Sequence, residues 1–377
     1  ELAGVTRDTK FTGFGEIVKD PKTGEPTGAL KEGAMGLVRR LVPVPDKAAK
    51  LASLEAGLRM AAGLGITSAQ NANGSLDELE LYEELRTRNK LTLRTSLAMS
   101  VGPMETEATL IDYAKLRQKY PGPLLRVGAI KIGMDGVIES HTAAMLEPYT
   151  NNKATTGNTA WTAEQFSRTV QIANKLGLQI YTHAIGDRAV RMALDGYENS
   201  PAGARHRIEH IETIHPADLP RFAALGVLPS MQPIHADPSG IEIWSSAIGP
   251  ERTRRGFAWR SIEKAGGRLV FSSDWPASIS VNPIRGIHSA VNRRTITGIP
   301  PQGWIPEERV SVETALRAYT INSAYASHEE DQKGAIRKGL LADIVVLNQD
   351  LFTIPPMDIH KTQVDITIFD GRIIHRR

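Results

Sequence analysis

From Asp46 to about Asn322 the chain alternates short apolar runs with stretches of helical period, and several of the runs end on a polar residue. The runs are Ile66–Gln70, Leu91–Met99, Arg126–Met134, Leu178–His183, His206–Ile211, Gly226–Gln232 and Arg268–Ser273. Their length and apolar content predict strands. Between them the spacing predicts helices. Asp46 is a fitting N-cap for a helix carrying Leu51, Leu54, Leu58 and Ala62 on one face. A polar helix to about Asn89 follows, then another before Arg126. Thr162-Ala-Glu-Gln165 reads as a capping box. Further helices are expected from about Asp187, over His215–Leu225, near Arg252–Ala265, and over Ile284–Arg294 and Val312–Asn322, with a loop through Pro250.

Repeating βα units argue for a parallel sheet, and this many argue for a rolled one. The expected fold is α/β: a (β/α)₈, TIM-like barrel over residues 46–330. Seven strands are legible where a closed barrel needs eight, so strand one is expected to be incomplete. The missing strand is either hidden in the first 45 residues or encoded upstream of Glu1. Residues 1–45, rich in Gly, Pro and charge, read as a hairpin around Pro21–Gly28 that packs on the barrel mouth. Residues 331–377 change character. Gly334–Leu347 and Val364–Ile374 read as strand pairs that cannot bury their faces alone, hence as part of a small β-sandwich domain.

Composition narrows the function classes. A net charge of +3 over 377 residues gives no case for nucleic acid or an anionic membrane as partner. Without cysteine, disulfides and thiolate metal sites are excluded. No apolar run is long enough to span a bilayer. The compartment is not fixed; the cytoplasm is marginally favoured, with an upstream leader as the alternative. Exposed strand edges would invite association, so a homo-oligomer is an open expectation.

The polar residues at the strand ends carry the chemistry. Lys131, His183, His210 and Asp274 stand at or near the C-terminal ends of four different runs, the face of a barrel where functional groups collect. A neutral imidazole binds a divalent cation through one ring nitrogen. A carboxylate binds a cation or accepts a proton from water. Each residue also has a bland explanation. His183 could simply bond Asp187, Asp274 could cap a helix, and Lys131 could reach for solvent. It is their joint order that points to a metal-ligand set. His206 and His210 are four apart, but the run is a strand and Arg207 follows the first histidine, so a zincin-type helix pair is rejected.

The segments Lys131–Tyr149, His183–Arg188, Arg207–His210, Ser230–His235 and Ser273–Pro276, with Lys338–Leu347 near the end, resemble the amidohydrolase superfamily. The resemblance is to its amidohydrolase-3 branch, which includes N-substituted formamide deformylase. It implies a metal-dependent hydrolase that cleaves an amide or related C–N bond of a small molecule with metal-activated water. It implies one or two divalent cations, with zinc the expected metal. His183 and His210 would be ligands, Lys131 a carboxylated bridging ligand, and Asp274 both ligand and general base. His235 would contact substrate or stabilise the oxyanion. Asp135, His141, Gln232 and Trp275 would be neighbours of the substrate. The chain departs from the family in having no His-x-His among its ten histidines, and in carrying His141 where relatives often have Arg. The matching His-x-His would precede Leu2, so this polypeptide is expected to hold an incomplete metal site and to be metal-poor. The alternative is a non-catalytic, amidohydrolase-like scaffold with a regulatory or interaction role.

Overall fold

The structure is a computed structural model that describes residues 2–377. Two strands open the chain as an antiparallel hairpin, β1 (Gly15–Lys19) and β2 (Pro26–Glu32). Its turn is closed by Asp20, whose Oδ1 accepts the backbone N–H groups of Lys22 and Thr23. Seven parallel strands follow: β3 (Ser68–Gly74), β4 (Arg94–Ser100), β5 (Leu125–Gly133), β6 (Gln179–Ala184), β7 (Arg207–His210), β8 (Leu228–Met231) and β9 (Val270–Phe271). They pair in simple sequential order, which leaves β3 and β9 as the two edges.

The sheet is strongly curled. Arg207 on β7 donates a hydrogen bond to Gln70 Oε1 on β3. In a flat sheet these strands would lie roughly 19 Å apart, too far for any side-chain bond. The interior of the curl is polar as well as apolar. The Arg207 guanidinium sits 3.4 Å from the centre of the Tyr181 ring.

The helices form where the sequence predicts them because their caps and buried stripes agree. Asp46 accepts the Ala49 N–H at 2.7 Å and starts the helix Lys47–Gly63. Thr162 and Gln165 form the expected reciprocal capping box, and Phe166, Val170 and Ala173 are buried on the helix Ala163–Leu176. Three helix expectations are corrected. The stretch before Pro250 is not a loop: Ile241–Thr253 is helical, kinked at Gly249, and buries Trp244, Ala247 and Ile248. The next helix starts at Trp259, not near Arg252. The predicted helix His215–Leu225 is also broken. Pro216 and Pro220 each lack an N–H, so it splits into a 3₁₀ turn, Pro216–Asp218, and a short helix, Arg221–Leu225.

Near the C-terminus, β10 (Ile344–Leu347), β11 (Val364–Phe369) and β12 (Arg372–Arg376) form a three-stranded antiparallel sheet. Residues 334–343, read as strand from the sequence, are turns and irregular backbone. Arg94, buried on β4, joins this small sheet to the curled one. It donates two bonds to Asp343 and one to Asp370. The hairpin touches the loop after β5, where Thr142 Oγ1 donates to Glu32 Oε1 at 2.6 Å. No described helix is long and apolar enough to cross a membrane.

Candidate metal centre

Parallel strands of one sheet present their C-terminal ends on one side, and there the chemistry-bearing side chains meet. Ligand atoms of His210, His235 and Asp274 all lie within 4.8 Å of one another. His210 is the last residue of β7, His235 lies in a 3₁₀ turn after β8, and Asp274 follows β9. His210 and Asp274 take φ of 75° and 56°, a left-handed backbone unusual for residues with a Cβ. Such conformations persist only where surrounding bonds hold them.

Those bonds are visible. His210 Nδ1 donates to Gln232 Oε1 at 2.8 Å, and Gln232 Nε2 donates in turn to Ser272 Oγ at 3.0 Å. This fixes the tautomer of His210 and leaves Nε2 as its lone-pair nitrogen. The ring of His235 stacks on that of His210, 5.9 Å between centroids and 5° between planes. His235 Nδ1 is 3.7 Å from Glu212 Oε1, and Nε2 is 3.5 Å from Asp274 Oδ2. Neither contact is hydrogen-bonded in alignment, and Nε2 is buried without a hydrogen-bond partner. Glu212 is itself held by Trp244, whose Nε1–H donates to Oε2 at 2.8 Å.

His183 stands beside this group, its ring centroid 4.5 Å from that of His210. Its Nε2 donates to the Gly136 carbonyl at 3.2 Å, leaving Nδ1 with the lone pair. Lys131 lies in the interior of the curl, where the charges of Glu209 and Asp274 reach it. Glu209 Oε1 is 3.0 Å from Arg207 Nη2, yet no donor is aligned on it.

The electrostatics follow from burial. Burial, and then Lys131, push the His183 imidazole down to about 3. Burial, and then the neighbouring His183, Lys131 and His235, hold His210 well below its ordinary value. Burial lowers Lys131 too, against the carboxylates of Glu209 and Asp274. Two imidazoles are therefore neutral, the form that ligates. His235 behaves otherwise: burial opposes its charge, but Glu212, Asp274 and Glu139 outweigh it and hold it above the ordinary value. Asp274 faces solvent at the mouth. Desolvation by the surrounding walls raises its carboxyl, and His235 and Lys131 pull it back.

The remaining predicted site residues are placed as follows. Asp135 is fully buried and accepts three backbone N–H groups, from Ala144 (2.8 Å), Ile185 (3.0 Å) and Gly186 (2.9 Å). Burial pushes its carboxyl up to about 7 against those donors. Gln232 lies behind His210. His141 packs edge-on against Tyr149 and bonds Asn151 Oδ1 through Nε2 at 2.8 Å. Trp275 is half exposed next to Asp274. Sequence reasoning passed over Glu212 and Glu209. Their signal was position: each flanks His210 at a strand end, within two residues.

Residues 1–375 match the amidohydrolase family known as Amidohydro_3. The chain belongs to that family. It is 31% identical over 367 residues to Protein LONG AFTER FAR-RED 3 of Arabidopsis thaliana, a match covering 92% of this chain and 61% of the relative. It is 28% identical over 401 residues to N-substituted formamide deformylase of Arthrobacter pascens, covering all of this chain and 70% of the relative. An uncharacterized metal-dependent hydrolase from Pyrococcus furiosus superposes with a TM-score of 0.69 at 26% identity, over 89% of this chain and 66% of that one. The chain thus spans about two thirds of the length of the proteins it matches.

Proposed function

We propose that this chain forms the greater part of a metal-dependent hydrolase that cleaves an amide or related C–N bond in a small molecule. The convergence of His210, His235 and Asp274 within 4.8 Å carries this reading. The donor set suits a divalent cation: His210 offers a lone-pair nitrogen toward the group, and Asp274 brings a carboxylate beside it. Zinc is the metal these nitrogen and oxygen donors suit best. His183 and Lys131 would extend the ligand set, Lys131 in carboxylated form. Once bound, the cation would polarise a carbonyl and acidify a water for attack near neutral pH. The residues do the rest. Asp274 accepts the proton of the attacking water and delivers it to the departing nitrogen. His235, whose Nε2 has no other partner, donates its N–H to the oxygen on which negative charge develops. Trp275 walls the entrance.

The absence of His-x-His supports an incomplete ligand set within this polypeptide, so metal content and turnover should be compared between it and a longer form extended by any upstream sequence its gene encodes. The longer form should hold metal in stoichiometric amount and hydrolyse N-substituted amides, and D274N should abolish turnover. Absence of both metal and turnover in the longer form would instead support the non-catalytic scaffold.

A further inference from the structure

At the opposite, N-terminal end of the curled sheet lies a cavity of about 330 Å³ among the starts of β4, β5 and β6. Two arginines line it, Arg117 and Arg126, with His206, His328 and Tyr181, and no carboxylate does. The stem of Arg117 and the Nε of Arg126 both border Gly128. A Cβ placed on Gly128, at a bulge in β5, would lie 3.6 Å from Arg117 Cγ and 3.8 Å from Arg126 Nε. Each guanidinium has a backbone carbonyl as partner, Gly177 O for Arg117 and Ser327 O for Arg126. Neither has a carboxylate among the described residues. Arg94, Arg205, Arg207 and Arg221 by contrast have Asp343, Glu330, Glu209 and Asp218, whereas the buried Arg252 and Arg293 are met, like this pair, by backbone carbonyls.

Two like charges lining one concavity repel each other unless an anion joins them. A carbonyl satisfies one N–H of a guanidinium and leaves its charge and other donors available. His206 does not supply the balance. Its Nδ1 accepts the Ile180 N–H and its Nε2 faces Asn174 Oδ1, which is the pattern of a neutral ring. His328 reports the field at the rim: burial, then Arg205 and Arg126, hold it below its ordinary value.

We propose that this cavity is a binding site for a small oxyanion, phosphate or carboxylate, clamped between Arg117 and Arg126 on the face of the sheet remote from the metal centre. Planar guanidinium forks match both groups.

The test is calorimetric titration of the full chain with inorganic phosphate and, separately, with succinate, against chloride at equal ionic strength. Saturable binding of either is expected, and the tighter of the two identifies the source of the anion. R126Q should weaken it roughly tenfold or more. G128D places a carboxylate between the arginines. Its backbone is not left-handed, so a side chain is accommodated there. This variant should raise the melting temperature in anion-free buffer and abolish the titration, and it decides the question if R126Q fails to fold. The proposal is overturned if neither anion binds saturably, if chloride reproduces the heat, or if binding survives in a folded R126Q or G128D.

Discussion

His210 and Gln232 form a donor–acceptor pair across adjacent strands: Nδ1 of the imidazole gives its proton to the amide oxygen 2.8 Å away. Everything His210 offers the centre depends on this bond, because it decides which ring nitrogen faces inward. Q232L should leave the fold intact and lower divalent-metal affinity by roughly 10- to 100-fold, as loss of a ligand's supporting partner does. Q232E, which keeps an acceptor, should lose less. Competition with a chromogenic chelator measures both.

Arg94 bonds two acidic residues of the small sheet while itself only 3% exposed. R94M would strand the buried Asp343 carboxylate without its cation. The expected cost is about 3–5 kcal/mol, the range for breaking one side of a buried ion pair. Urea unfolding measures it. The double variant with D343N should recover part of the loss.

A Cβ on Gly186 would stand 2.0 Å from the Ala144 carbonyl oxygen. G186A must therefore push the loop after β5 away from the end of β6. Overpacking of this kind costs about 1–3 kcal/mol. The melting temperature should fall, and the Asp135 bonds to Ala144 and Gly186 should open, seen as faster amide exchange at those two residues.

His206 is buried between Ile180 and Asn174, and burial pushes its imidazole down to about 4 from 6.5. The unfolded chain binds a proton there at higher pH than the native one. The stability this group contributes is thus present in full above pH 6.5 and is lost as pH falls from there toward 4. The total is on the order of 3 kcal/mol. Melting curves across that window should show a steeper acid decline for the parent chain than for H206Q.

How much of this was written in the sequence depends on the distance over which each feature is decided. Caps are local: Asp46 and the Thr162–Gln165 box act within four residues, and both form as predicted. Strand ends are nearly so. Lys131, His183, His210 and Asp274 stand at the C-terminal side of the sheet because each closes its own apolar run. The helix Ile241–Thr253 was disguised by Gly240, Gly249 and Pro250, although Trp244, Ala247 and Ile248 recur at helical spacing. What no local pattern could supply were contacts between distant strands. The bond from Arg207 to Gln70 is created by the curl of the whole sheet, the joint from Arg94 to Asp343 by the docking of the small sheet, and the approach of His235 to Asp274 by the turns that follow β8 and β9. The meeting of Arg117 and Arg126 at Gly128 depends on how the helix before β5 packs against that strand.

Asp135 gathers amides from Ala144, Ile185 and Gly186, and so fastens two consecutive βα connections to one buried carboxyl. Those two connections share a single anchor. Any reshaping of the entrance to admit a bulkier or differently charged guest must come from its other rim, the segment beyond Trp275, where Ile279 stands 64% exposed. Half of the doorway is masonry; the other half is where new selectivity can be cut.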